Sequence, residues 1–197
     1  MSIIAVVDFP VYWMFRTSIA PLSEIFKENL SLFPHTIDFS NYYKVWFAKD
    51  YASQLKFKNY MLNSFIAAGG AAFFSVALGT LAGYSLSRFE YMGKEALAKS
   101  VLYMYMFPPT LLVIPLLIFV QKARLYNTLT SLVIVFCSFG LPFSIWMMRG
   151  YLSTVPAELE EAAMIDGCTK IKAFVKVILP LSAPGIGATF IFCFILG

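Results

Sequence analysis

Three stretches of the chain carry no charged side chain: residues 59–87, 100–121 and 125–148. Each reaches the roughly 20 predominantly apolar residues that a helix needs to cross a hydrocarbon core about 30 Å thick. The pattern therefore predicts three complete transmembrane helices. Residues 1–15 are apolar apart from Asp8, and a helix of that length rises only about 22 Å, so they read as the tail of a span. A signal peptide is a poorer description, because the stretch has no basic leading region and holds Asp8 and Pro10 where the apolar segment should be unbroken. Residues 183–197 open a further apolar run with no flanking charge or aromatic anchor, which predicts the start of another span.

Composition fits this pattern. Hydrophobic residues make up 59% of the 197, and only 13% are charged, a balance outside the range of water-soluble domains of this size. The net charge of +4 suits anionic lipid surfaces and requires no nucleic acid. Charge does not orient the spans. With the connection holding Glu161 on the inside, that side has seven Lys/Arg (Arg88, Lys94, Lys99, Arg149, Lys170, Lys172 and Lys176), and the other side has eight. Short connections alone, with three cations in 88–99 against two in 122–128, lean only slightly toward placing the Glu161 side inside.

Candidate chemistry is sparse. Cys137 and Cys193 fall in apolar runs and Cys168 in a connection, without a CxxC pair, and His35 is the single histidine. Neither a disulfide framework nor a metal or nucleophile set is indicated. The chain is expected to be no enzyme and to hold no cofactor of its own. Polar groups within the runs, Asn63, Ser64, Tyr84, Ser138 and Ser144 with Gln121 near an edge, are not acids or bases of a proton relay. Tyr103, Tyr105, Tyr126 and Trp146 read as interface anchors. Gly79 and Gly83 form a small-xxx-small pair suited to close helix packing. Pro108, Pro109, Pro115, Gly140 and Pro142 are expected to kink or open their helices, either at the walls of a pathway or simply to bend around neighbouring helices, the latter at least as readily at any one position.

The connection at 149–180 is the most informative polar segment. Pro156 suits a first helical turn, and Glu158, Glu160 and Glu161 put negative charge at the positive end of the helix dipole. A helix over about 156–166 follows, with Gly167 as its left-handed stop and Thr169 capping a second helix. In the first helix Glu161 shares a face with Glu158, Met164 and Ile165, while Leu159 and Ala163 turn the other way and are expected to anchor it. Ala162 and Ala163 leave room for close approach. In the second helix Ile171, Phe174, Val175 and Ile178 fall at helical spacing, predicting a face against the bundle, and Pro180 and Pro184 are expected to end it.

The spacing Glu161-Ala162-Ala163, then Gly167, then Leu179-Pro180, with Val177 in place of the usual Ile, resembles the cytoplasmic loop of permease subunits in binding-protein-dependent ABC importers. Further residues are similar to the carbohydrate branch, of the maltose-transporter type, and to the second of its two paired subunits. These are Asn41-Tyr42, Asn63-Ser64, Arg88-Phe89, Gly93-Lys94, Ile114-Pro115-Leu116, Asn127-Thr128, Leu141-Pro142-Phe143 and the run from Pro156 to Glu161. The likeness extends from about Pro10 onward.

That resemblance implies an all-α, polytopic integral membrane protein with the type I importer fold, of which about five of six expected spans are here, the first and last incomplete. Residues 1–58 would be a partial first span and an extracytoplasmic loop, and 59–197 the permease domain. It implies import of a sugar or oligosaccharide across the cytoplasmic membrane of a prokaryote. Implied partners are a second homologous permease subunit, an ATPase dimer that binds ATP and Mg, an external sugar-binding protein and the bilayer. Glu161, Ala162, Ala163, Met164, Ile165, Gly167, Leu179 and Pro180 would couple to the ATPase. Arg124 and Cys168 depart from the pattern, which has Gly and a small residue there. The same architecture serving a glycerol phosphate, or a membrane scaffold that does not transport, are the other readings; the former would need basic pathway residues.

Overall fold

The computed structural model describes residues 2–26, 31–47 and 57–197, which divide into two units, Met1–Leu62 and Asn63–Gly197. In the first unit, helix α1 (Ser2–Ser18) contains Pro10. At 17 residues it rises about 26 Å, somewhat short of a full crossing. Two short helices follow, α2 (Leu22–Ile25) and α3 (Ser40–Trp46). Arg16 is buried and pairs with Glu24 at 3.4 Å, and the Glu24 carboxylate also accepts the His35 backbone N–H at 2.9 Å.

The 59–87 run becomes α4 (Phe57–Arg88) and the 125–148 run becomes α7 (Leu129–Thr154), both long and apolar enough to cross a membrane. The 100–121 run is not one straight helix. It is split into α5 (Lys94–Met106) and α6 (Pro109–Lys122), whose axes differ by 96°. Two adjacent residues cause the break. Pro108 disfavours the helical region for Phe107, which is extended at φ −70°, ψ 130°, and Pro108 itself sits at φ −60°, ψ 122°. Pro109 then serves as a helix-starting residue. Pro115 and Pro142, by contrast, lie inside unbroken helices.

The remaining chain forms α8 (Glu158–Ile165), α9 (Lys170–Ala173), a π-turn over Phe174–Ile178, α10 (Leu179–Leu181) and α11 (Ala183–Leu196). The segments Lys170–Leu181 and Ala183–Leu196 meet at 70°. The bend falls at Ser182, with Pro184 in the first turn beyond it and Pro180 retained in the helical run before it. Pro180 therefore does not end the second helix, because the widened π-turn immediately precedes it and relieves the usual clash with the preceding turn.

Small residues form the inner stripe of α4: Ala68, Ala72, Ser75, Gly79 and Gly83 are buried, while Phe65, Phe73, Leu78 and Leu81 point outward. An apolar exterior with a small-residue interior is the arrangement expected when the solvent is lipid and contact is made by close backbone approach. A Cβ at Gly79 would come within 2.5 Å of the Ser144 Cβ, and one at Gly83 within 2.8 Å of the Arg149 backbone nitrogen. The two glycines thus seat α4 against α7. One packed cluster holds Ala72, Val76, Phe143 and Cys193; a second holds Tyr84, Met148, Leu152, Val155, Phe174 and Ile178, at the end where α8 emerges.

Candidate functional site

Val155 closes α7 in an extended conformation, φ −79° and ψ 124°, as the residue before a proline prefers. The helix at Glu161 starts two residues beyond Pro156, with Ala157 as its N-cap and Glu158, Glu160 and Glu161 in the first turn. Ala157 offers no side-chain acceptor, so the carboxylates near the exposed N–H groups supply the favourable electrostatics at this end. At the other end Gly167 has φ +88°, its N–H reaches the Met164 carbonyl at 3.1 Å, and the Cys168 N–H reaches Ala163 at 3.0 Å. This 6→1 and 5→2 pairing needs a left-handed residue, the role expected of Gly167. Thr169 caps the next helix, its hydroxyl accepting the Lys172 N–H at 3.4 Å.

Glu161, Ala162, Met164 and Ile165 all lie on the open side of α8, and Ile165 is 86% exposed. With Glu158 beside them they make a surface both negative and apolar. The expected anchor is different from the observed one. Leu159 is 43% exposed, whereas Glu160 is only 4% exposed. Its carboxylate accepts a hydrogen bond from the Tyr84 hydroxyl and faces the Arg88 Nε at 3.5 Å. Arg88 also donates from Nη2 to the Val155 carbonyl at 2.6 Å. A buried carboxylate needs a cation and donors of this kind, and the last residue of α4 provides the cation. Ala163 is half-buried, as expected of the inner side.

The face of the second helix also differs. Phe174 and Ile178 are buried as predicted, but Ile171 is 77% and Val175 51% exposed, and Ala173 takes an inner position. The π-turn over Phe174–Ile178 widens the helix beyond 3.6 residues per turn, so a stripe projected with α-helical spacing drifts off the bundle. Phe174 packs on Tyr84 in a tilted pair with ring centroids 4.4 Å apart, Phe89 meets Tyr84 edge-on, and the Lys170 ammonium sits 4.0 Å from the Phe89 centroid. Leu179 packs against the same cluster; Pro180 is exposed.

At the far end of α4 and α7, a cavity of about 500 Å³ is lined by Asn63, Val120, Tyr126, Asn127, Ser131 and Phe139, among others. The 123–128 turn, where Arg124 and Asn127 both have φ +57°, contributes Tyr126, Asn127 and Thr128 to its lining. Among the described residues no group of His, Cys, Asp or Glu has the arrangement to hold a metal ion.

The part of the chain containing all of α8 to α11, residues 75–197, matches the family described as the inner membrane component of binding-protein-dependent transport systems. This chain belongs to that family. It is 37% identical over 187 residues to the diacetylchitobiose uptake system permease protein DasC of Streptomyces coelicolor, covering 95% of this chain and 66% of the relative. It is 36% identical to the trehalose/maltose transport system permease protein MalG of Thermococcus litoralis, covering 95% and 65%. The trehalose transport system permease protein SugB of Mycobacterium tuberculosis is 34% identical, with 94% and 65% covered. The chain thus spans about two thirds of the length of these relatives or slightly less. A crystal structure of a bacterial ABC transporter involved in import of the polysaccharide alginate superposes with TM-score 0.66 over 98% of this chain and 65% of that one, at 22% identity. The fold is accordingly the all-helical, membrane-spanning fold of an ABC importer permease, a protein that is not itself an enzyme.

Proposed function

We propose that this chain is the permease subunit of an ATP-driven importer in the cytoplasmic membrane of a prokaryote, moving a sugar or oligosaccharide delivered by an extracytoplasmic binding protein. It pairs with a second homologous permease subunit, and an ATPase dimer carries the ATP and Mg. The observation that carries the reading is the construction of α8. It is a short helix with fixed ends, bound to the bundle through Glu160, and it presents Glu161, Met164 and Ile165 outward. Such a surface offers a carboxylate for charge-assisted hydrogen bonds and an apolar anchor for a complementary groove. The turn at Gly167 and the run through Leu179 and Pro180 join that surface to α11. Similarity to permease proteins of diacetylchitobiose, trehalose and trehalose/maltose uptake systems supports a carbohydrate cargo.

The experiment is Glu161→Lys in the full-length complex. Insertion in the membrane should be unchanged, while the ATPase should no longer copurify and transport should cease. Normal ATPase association and sugar-stimulated hydrolysis in that variant would refute the coupling role.

A further inference from the structure

Taking the ATPase-coupling role of α8 as given, we infer that Arg88, Glu160 and Tyr84 are positioning residues forming a latch that carries motion of α8 into the membrane-spanning helix α4. Arg88 is the last residue of α4, and its guanidinium reaches two separate pieces of the loop: the Glu160 carboxylate at 3.5 Å and the Val155 carbonyl at 2.6 Å. Tyr84, one turn earlier on α4, donates to the same carboxylate. Glu160 belongs to the first turn of α8 and Val155 terminates α7. Three elements are therefore tied at one point. The side chains are enclosed, at 11% exposure for Arg88 and 5% for Glu160, so water does not screen the pair as it would at a surface.

Neighbouring contacts make the tie directional. Phe174 packs on Tyr84 from the π-turn, and Lys170 covers Phe89, so the end of α4 is held on the side of the second loop helix as well. Along its length α4 lies on α7 through Gly79 and Gly83, where there is no side chain to interlock. A smooth small-residue contact permits sliding or rocking, whereas a buried ion pair braced by the Tyr84 hydrogen bond to Glu160 and the Arg88 hydrogen bond to the Val155 carbonyl resists separation. A push received on Glu161, Met164 and Ile165 is transmitted to α4 at Arg88 and Tyr84, and α4 moves along its glycine seam.

The test uses the full-length permease assembled with its paired subunit and ATPase in lipid nanodiscs, with spin labels at Leu81 of α4 and Leu97 of α5, both exposed. The Leu81–Leu97 distance is read by pulsed EPR without nucleotide and with Mg-ATP trapped by vanadate. The native complex should show a nucleotide-dependent change in distance. The single variant E160Q, which leaves Arg88 charged and unpaired, and the double variant R88M/E160Q, which leaves no buried charge uncompensated, should lose that change. Because the double variant removes both charges, it should assemble with the ATPase at native stoichiometry. The exchanged pair R88E/E160R should restore the change at least in part.

A native-size change in the double variant, or no change in the native complex, overturns the latch. Loss of ATPase from the double variant also overturns it, since the pair would then be needed for assembly rather than transmission. The coupling role of α8 is judged separately by ATPase copurification with Glu161→Lys, so either idea can fail while the other stands.

Discussion

Replacing Gly79 with alanine places a methyl group between two backbones. The new Cβ would lie 2.5 Å from the Ser144 Cβ, 3.0 Å from the Ser144 carbonyl carbon and 3.2 Å from the Ile145 nitrogen. Comfortable carbon contacts are about 3.5–4.0 Å, and two of these three neighbours are main-chain atoms that no rotamer change can move. Helices α4 and α7 must therefore separate by about 1 Å, loosening the seam that includes Gly83 and Met148. Overpacking of this kind costs about 1–3 kcal/mol, and the upper part of that range applies where backbone must shift. Alanine is favoured over glycine within a helix by about 1 kcal/mol, leaving a net loss of about 2 kcal/mol. For a chain of this size that corresponds to a midpoint lowered by about 4–8 °C. Gly150→Ala is the matched control, since it lies inside α7 with nothing within 4 Å of the added atom. Thermal unfolding of the purified full-length protein in detergent, followed by tryptophan fluorescence and size-exclusion recovery, should rank Gly150→Ala at or above the native midpoint and Gly79→Ala well below it. If Gly79→Ala melts with or above the control, the close α4–α7 seam is not what stabilises the bundle.

Two left-handed positions give opposite expectations in the same melting assay. Arg124 follows the end of α6 with φ +57°, and the Leu125 N–H reaches Val120 at 3.0 Å; Arg124→Gly should stabilise by about 1 kcal/mol by removing the strain of a side chain there. Gly167→Ala meets no steric neighbour but imposes the same strain at φ +88°, so it should destabilise by about 1 kcal/mol; equal midpoints for the two variants would refute this account. In the first unit, the His35 N–H bonded to Glu24 and the Ser40 N–H bonded to Asp38 hold both carboxyls below their ordinary range. Their contribution is present above the unfolded carboxylate values and is lost as pH falls through the lowered folded ones. Amide exchange at His35 and Ser40, corrected for its intrinsic pH dependence, should accelerate between about pH 5 and pH 2, and Glu24→Gln should abolish the pH dependence at His35.

Much of this protein is decided locally and was legible in order along the chain. Uncharged runs of sufficient length become α4 and α7 because a bilayer admits little else. Gly167 turns where it does because the C-terminal end of a helix calls for a left-handed residue, and Thr169 caps the helix that follows. Pro108 marked a disturbance, but a proline by itself gives anything from a mild kink to a full break. The 96° break is reached with α5 tied to α7 through Glu95 and Arg149 at 2.7 Å, a contact spanning 54 residues.

Which residue anchors α8 was not legible at all. Glu158, Glu160 and Glu161 are alike in composition and all suit a first helical turn; only the arrival of Tyr84, 76 residues earlier in the chain, and of Arg88 makes one of them internal. The second loop helix shows the same division. Its apolar residues could be listed from the sequence, but the π-turn changes the angle between successive side chains, so Phe174 and Ile178 enter the bundle while Ile171 and Val175 do not. Sequence by itself thus determined the elements that depend on solvent and backbone preference, and the tertiary structure decided the pairings, because burial of a charge or a ring depends on partners far away in the chain.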